Sequence, residues 1–417
     1  MDWIRKKDAT KEERARWRVL YALAATTFFL PLNIFLMEAC FVLTLLLSAW
    51  YVWHYERRSA PVTKLSLPVI GFAVAALLSL AGSPHFIMGL GFYVFTVLQY
   101  VLLYHLVRTF IQGREERRFI FSCLLASTLI VALYGLYQYA HMLTLHEADW
   151  VDNSAFPLLK RRMYSTLYNP NLLSAFLLML ISAAASLFVC SREMKPRLGC
   201  LAFLGLLMLC LVLTYSRGAW LSVCALIFFF GLVWDKRVWL LFLGLPLILF
   251  CYHGGVADRL MSIFSHSEAD TSVSMRMDMW AAAWQMAKDH PLLGIGWGAF
   301  KYVYPVYNEL IQEAGIVIFH AHNMYLNILA ETGLAGFFFA MWFFFGNLWY
   351  AVKYIKRKSV RDFDYALALT MAASVLALTI SCISDYDLFS TQISLTFWLL
   401  SGLFASLYEE DEKFRAK

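Results

Sequence analysis

Long apolar runs alternate with short polar connections along the chain, and this alternation is its plainest structural statement. A membrane-spanning helix needs about 20 predominantly apolar residues, within a range of roughly 17–25. Twelve runs approach that length: residues 18–33, 36–54, 66–82, 87–107, 119–141, 171–190, 198–214, 218–234, 238–252, 334–353, 364–383 and 391–408. In lipid the backbone must satisfy its own hydrogen bonds, so runs of this kind predict helices. Pro31 is expected to end the first, and Pro246 to kink the ninth. Two connections are long, 142–170 and 253–333, and the others are tight. The pattern predicts an all-α polytopic membrane protein of about twelve transmembrane helices. Residues 1–417 form a single domain in this reading, and 253–333 form an external loop with short helices. No repeat or low-complexity linker divides the chain.

The second long loop carries a helical pattern of its own. Thr271-Ser272 can cap a helix running to about Asp289, before Pro291. Arg276, Trp280, Trp284 and Ala287 then share one face at helical spacing. The expectation is a helix lying along the bilayer surface with its tryptophans at headgroup level.

Composition supports the membrane reading, with 61% hydrophobic and only 15% charged residues, where a soluble domain is nearer half and about a quarter. Charge adds orientation. Most Lys and Arg fall at the termini and in alternate connections, which the positive-inside rule assigns to the cytoplasm. Both termini are therefore expected on the cytoplasmic side, with Lys160, Arg161, Arg162, Arg217, Arg259, Arg276, Lys288 and Lys301 outside. The net charge of +6 arises from these loops, so nucleic acid is not an expected partner. No cleavable signal peptide is visible. The eight cysteines lie in or beside apolar runs without metal or disulfide spacing.

The candidate chemistry lies on the external side. His322 and Asn323 stand before the tenth span, with Gly333 and Gly336 following. An imidazole is the natural acceptor for a hydroxyl proton. An uninterrupted helix would put His322 and Gly333 on one face; alternatively Gly333 ends a short helix from Met324 to Thr332. Glu331 is a further external acid. A metal site is disfavoured because His320 and His322, two apart, do not converge on a helix. Arg217 sits in a tight hairpin between the seventh and eighth spans, and Arg276 lies on the tryptophan face; both suit a lipid-borne phosphate. For Arg161 and Arg162, preceding Tyr168-Asn169-Pro170-Asn171, a solvated loop is preferred. Asp385 and Asp387 can orient a base or an acceptor, though ordinary solvated carboxylates are preferred. Gly294-Ile-Gly-Trp-Gly298 has no strand before it and is a turn, not a dinucleotide fingerprint.

His322-Asn323-x9-Gly333-x2-Gly336 resembles the H-[NSQ]-x9-G-x2-[GTY] pattern of bacterial O-antigen ligases and O-antigen polymerases. Arg217-Gly-Ala-Trp-Leu221 resembles the R-x3-L element of the ligases, and Tyr168–Asn171 and Pro291–Gly296 are similar to stretches of that superfamily. The resemblance implies a metal-independent, GT-C-like glycosyltransferase with no cofactor, and a periplasmic active site. Its donor would be a glycan on undecaprenyl diphosphate and its acceptor lipid A-core. His322 would be the catalytic base, and Arg217 and Arg276 would hold the diphosphate. Asn323, Arg161, Arg162, Asn169, Asn171, Glu331, Asp385 and Asp387 would support them, and Gly333 and Gly336 would permit close packing. Two alternatives stand beside the ligase. One is a polymerase using the same donor. The other is a small-solute transporter such as one for bicarbonate, which the scarcity of ionisable groups within the spans disfavours.

Overall fold

The computed structural model describes residues 10–55, 62–141, 161–244, 271–308 and 317–415, and among them every regular element is helical. The helices are α1 (Lys11–Phe29), α2 (Ile34–Tyr55), α3 (Leu67–Ser79) and α4 (Phe86–Phe110, with a π turn at Val94–Leu98). Then come α5 (Arg114–His141), α6 (Pro170–Cys190), α7 (Met194–Leu213), α8 (Arg217–Val233), α9 (Thr271–Asp289) and α10 (Phe300–Tyr307). The last three are α11 (Met324–Arg357), α12 (Phe363–Ser384) and α13 (Thr391–Arg415).

Seven of these, α2, α4, α5, α6, α7, α11 and α12, are long and apolar enough to cross a membrane. Leu67–Gly82 and α8 are shorter apolar helices. The chain is a multi-pass, all-α membrane protein. The expected first and twelfth spans are helical as α1 and α13, but both carry charged turns at one end. α1 starts from a capping box in which Glu13 N–H donates to Thr10 Oγ1 at 3.1 Å and Glu13 accepts from Thr10 N–H at 2.8 Å. The expected ninth span, 238–252, differs: Lys236–Leu243 coils as a 3₁₀ helix capped by Asp235. Its Trp239 folds back to donate to Phe228 O of α8 at 3.1 Å. The rest of that run, Pro246 included, lies outside the described residues.

α6 and α12 are the most buried spans, and they pack on each other. Their buried positions include many Ala and Ser, among them Ala183, Ala184, Ala366 and Ala373. Small side chains let backbones approach, which is how helices adhere where lipid offers no hydrophobic penalty. Large apolar side chains such as Phe35, Trp53, Ile87 and Phe95 point outward, as lipid contact requires.

The two ends of the bundle differ in chemistry. One end is tied by ion pairs: Arg108–Glu409 at 2.7 Å, Arg117–Glu410 at 2.6 Å, Arg114–Asp364 at 2.8 Å and Lys358–Asp411 at 2.6 Å. The other end carries α9 and α10, which share a small second core of Met279, Ala283, Met286, Phe300, Tyr304 and Ala321. α9 docks on protein through one apolar stripe. Its buried stripe is Met279, Ala282, Ala283, Met286 and Ala287, beside the expected tryptophan face and sharing Ala287 with it. Trp284 is exposed, and Trp280 Nε1 donates to His322 O at 3.3 Å. The apolar stripe wins because it docks on α11 and buries more than the mixed Arg/Trp face could.

α11 is broken at Gly333, whose φ of 61° and ψ of −168° are outside the helical region. The loop Pro291–Gly296 fills the break. Ile295 and Gly296 N–H donate to Ala330 O (2.9 Å) and Glu331 O (3.0 Å), and Leu334 N–H donates to Pro291 O (2.8 Å). A Cβ on Gly333 would lie 2.3 Å from the Leu292 carbonyl carbon, so only glycine fits both the dihedral and the contact. His322 and Gly333 therefore do not share one continuous helix; Gly333 ends a short helix starting at Met324, the alternative drawn from the sequence.

Candidate active site

His322 closes the loop 317–323, immediately before α11. Asn323 caps that helix by accepting from Leu326 N–H at 2.9 Å, and its amide donates to Ile383 O at 2.9 Å, tying α11 to the end of α12. His322 itself takes a left-handed φ of 47°, a conformation that costs a branched or ringed side chain free energy and clusters at functional sites. Two contacts hold it there. Its N–H donates to His320 Nδ1 at 3.1 Å, and its carbonyl accepts from Trp280.

The imidazole faces Asp385, the residue that ends α12, with Nδ1 2.9 Å from Oδ1. Asp385 Oδ1 also accepts from Tyr386 N–H at 2.8 Å, and Oδ2 from the Asn171 amide at 2.8 Å. Asn171 Oδ1 in turn accepts from Arg162 Nη2 at 2.7 Å, while Arg162 Nε donates to Thr214 O at 2.8 Å. A continuous chain thus runs Arg162–Asn171–Asp385–His322, drawn from four separate segments. Burial pushes the Asp385 carboxyl up, but the hydrogen bond from His322, with the charges of His322, His320 and Arg276, outweighs it and holds Asp385 well below the usual carboxylate range. An ionised Asp385 accepts the Nδ1 proton. This fixes the tautomer that leaves the Nε2 lone pair for chemistry.

The two expected arginines belong to the same end. The charge of Arg276 is felt at both Asp385 and His320. Arg217 opens α8, and its neighbour Gly218 lies so close to α12 that a Cβ would stand 2.6 Å from Ser384 Oγ. Glycine at 218 thus lets the Arg217 turn sit against the residue preceding Asp385.

Several expectations for supporting residues are corrected. Asp385 and Asp387 are buried, not solvated. Burial, reinforced by the charge of Asp385, pushes the Asp387 carboxyl up to about 7. Arg162 is buried in the chain just described, and Arg161 stacks 4.4 Å above the Tyr139 ring, so neither is a solvated loop cation. Glu331 is 1% exposed and accepts from Phe300 N–H at 3.2 Å; it anchors the α10 loop. Asn169 caps α6, accepting from Asn171 N–H at 2.8 Å. Gly336 packs under Thr332, whose Cβ is 2.3 Å from where its own would be. Gly294–Gly298 is a turn, with positive φ at all three glycines.

His320 was set aside because it cannot join His322 on a helix. Neither residue is helical; their rings lie 4.3 Å apart. Burial, with the charge of His322 second, pulls His320 down to about 4. Ligand atoms of His320, His322 and Asp385 lie within 4.8 Å of one another. Two imidazoles and a carboxylate suit a Zn²⁺-class ion, so the argument from helical spacing against a metal fails on geometry. Only the Tyr386 turn, an aromatic between two acids just beyond an apolar helix, hints in sequence at the Asp385 contact.

A multi-spanning helical membrane protein with a carboxylate-oriented histidine and two arginines gathered at one end of the bundle is the class these features define. Residues 201–341 match the family described as O-Antigen ligase, so this part of the chain is similar to that family. The matched stretch includes Arg217, Arg276, His322, Gly333 and Gly336; Arg162, Asn171 and Asp385 lie outside it and reach the site through the fold. No curated protein matches the chain significantly.

Proposed function

We propose that the protein is an O-antigen ligase, transferring a glycan from undecaprenyl diphosphate to a hydroxyl of lipid A-core on the periplasmic face of the inner membrane. The observation that carries the reading is the His322 Nδ1–Asp385 bond at 2.9 Å, in a cluster that also feels Arg276. In the proposed step the acceptor oxygen attacks the anomeric carbon. Its proton passes to His322 Nε2, and the bond from carbon to the diphosphate oxygen breaks. Undecaprenyl diphosphate leaves with the bonding electrons, and the anomeric centre inverts. Asp385 keeps the imidazole oriented and stabilises the imidazolium that forms. Arg217 and Arg276 meet the charge developing on the diphosphate, which fixed donors in a partly dry cleft do effectively. The activated sugar–diphosphate bond supplies the driving force, so no nucleotide is required outside the cytoplasm.

A polymerase differs only in its acceptor, and surface glycan on a gel separates the two. Deleting a ligase leaves bare core and accumulates lipid-linked polymer. Deleting a polymerase leaves core bearing one repeat, and that pattern would replace the ligase reading.

A further inference from the structure

Beside the histidine site lies a cluster that the proposed chemistry does not use. Arg161 stacks its guanidinium 4.4 Å from the Tyr139 ring centre. The Tyr139 hydroxyl is 3.5 Å from the hydroxyl of Tyr215. The Tyr215 ring is 6.4 Å from that of Trp220, at 52°. Tyr139 ends α5, Tyr215 forms the α7–α8 hairpin in a left-handed turn with φ of 53°, and Trp220 lies in the first turn of α8. The segment that brings Arg161 to them is pinned to that hairpin, with Met163 N–H donating to Leu213 O at 2.9 Å and Arg162 bonded to Thr214 O. The same segment seats on α5 through Ser165, which donates to Val131 O at 2.7 Å. Arg162, one residue on, begins the chain to His322, so the cluster adjoins the reacting centre.

Two donors in this cluster, Arg161 Nη1 and Trp220 Nε1, are buried and have no hydrogen-bond partner among the described residues. Buried donors are almost always paired, because leaving one unpaired costs free energy. An interfacial aromatic belt also gathers Tyr and Trp at a membrane boundary, but there the indole N–H reaches headgroups or water. Here it is turned inward.

We propose that Arg161, Tyr139, Tyr215 and Trp220 form a saccharide subsite that binds a sugar ring of the glycan next to the bond being transferred. The inference rests on the glycan-transfer reading of the His322 site and adds where the sugar is held. Polarised C–H bonds on a pyranose face are drawn to the negative faces of aromatic rings. Sugar hydroxyls accept from the indole and guanidinium N–H groups and donate to tyrosine oxygens. A neutral polyol suits the cluster better than a phosphate. The guanidinium charge is already directed at the Tyr139 ring, and the remaining groups are uncharged.

The test is equilibrium binding by the detergent-solubilised full chain. The probe is phosphate-free glycan, released by mild acid from the lipid-linked pool of the producing cell. Inorganic pyrophosphate is titrated in parallel, and transfer is assayed separately. Trp220→Phe keeps the ring and removes the N–H; Arg161→Gln and Tyr139→Leu are companions should one variant fold poorly. Each is expected to weaken glycan binding about three- to tenfold, the loss that one or two neutral hydrogen bonds give. His322→Ala is expected to keep glycan affinity while losing transfer. Unchanged glycan affinity in all three cluster variants would overturn the subsite. So would failure of the wild-type chain to bind the glycan, or effects confined to pyrophosphate. Glycan binding that depends on the cluster in a protein without transferase activity would keep the subsite and remove the reaction proposed for His322.

Discussion

At the scale of single residues, the proposed function turns on what Asp385 does to His322. A buried carboxylate that stays ionised fixes a proton on Nδ1 and so presents Nε2 as a base. Asp385→Asn keeps size but removes the charge that orients and stabilises the imidazolium. Its turnover should fall by about 10²–10⁴-fold, the usual worth of positioned general-base catalysis, with donor KM little changed. A variant retaining parental turnover would show that Asp385 is only structural. Asp387 makes a separate prediction in stability. Its carboxyl ionises near 3.9 in an unfolded chain but keeps its proton to about 7 in the fold. Between those values the folded state binds more protons, so this residue's contribution declines as pH rises and is level above the window. His320 acts in the opposite sense: pulled down to about 4 in the fold against about 6.5 unfolded, it favours stability as pH rises through that range. The readout is therefore the difference in thermal midpoint between wild type and Asp387→Asn in detergent. From about pH 5 to about pH 8 the variant should gain relative to wild type; a constant difference would refute the burial of an ionisable acid there.

At the scale of elements, the break in α11 is the device that sets the site. Pro291–Gly296 inserts its backbone where the helix opens, and Gly333 makes room for it. Gly333→Ala must strain a left-handed φ and displace the Leu292 carbonyl. It should cost more than about 1 kcal/mol of stability and reduce transfer, although the residue touches no reacting atom. A melt and a rate indistinguishable from wild type would show that the loop is not held by the break. This element also shows what sequence could and could not reveal. Spacing placed a glycine one short helix beyond His322 and left open whether it continued or ended that helix. Resolving the choice required the partner loop forty residues earlier, a contact with no local signature. The spans were legible because lipid imposes an apolar run that any reader can see. On α9 the Arg and Trp spacing marks one face in sequence, while the Met/Ala stripe beside it, without so plain a signal, is the one that packs on protein. Asp385 was undervalued for a related reason: a carboxylate in a short loop reads as solvated until a distant histidine is folded against it.

At the scale of the whole molecule, polarity is the organising feature. One end of the bundle is laced by Arg–carboxylate pairs, and the other gathers His322, Asp385, Arg276 and the α9–α10 cap. Under the proposed function the ion-paired end is the cytoplasmic one, as the positive-inside rule expects. Lys288 and Lys413 are both exposed, at opposite ends. In intact cells with a permeable outer membrane, Lys288→Cys should react with an impermeant maleimide, whereas Lys413→Cys should react only after the inner membrane is opened. The reverse pattern would put the site on the cytoplasmic side and remove the lipid-diphosphate donor from reach.

The most direct measurement is the initial rate of glycan transfer from purified undecaprenyl-diphosphate donor to lipid A-core by the reconstituted protein, in EDTA, for wild type and His322→Ala. The account predicts transfer by wild type that persists in EDTA, and loss of about 10²–10⁴-fold in the variant. Parental transfer by His322→Ala would contradict the base assignment. Loss of wild-type transfer in EDTA, restored by Zn²⁺, would show instead that His320, His322 and Asp385 work as metal ligands.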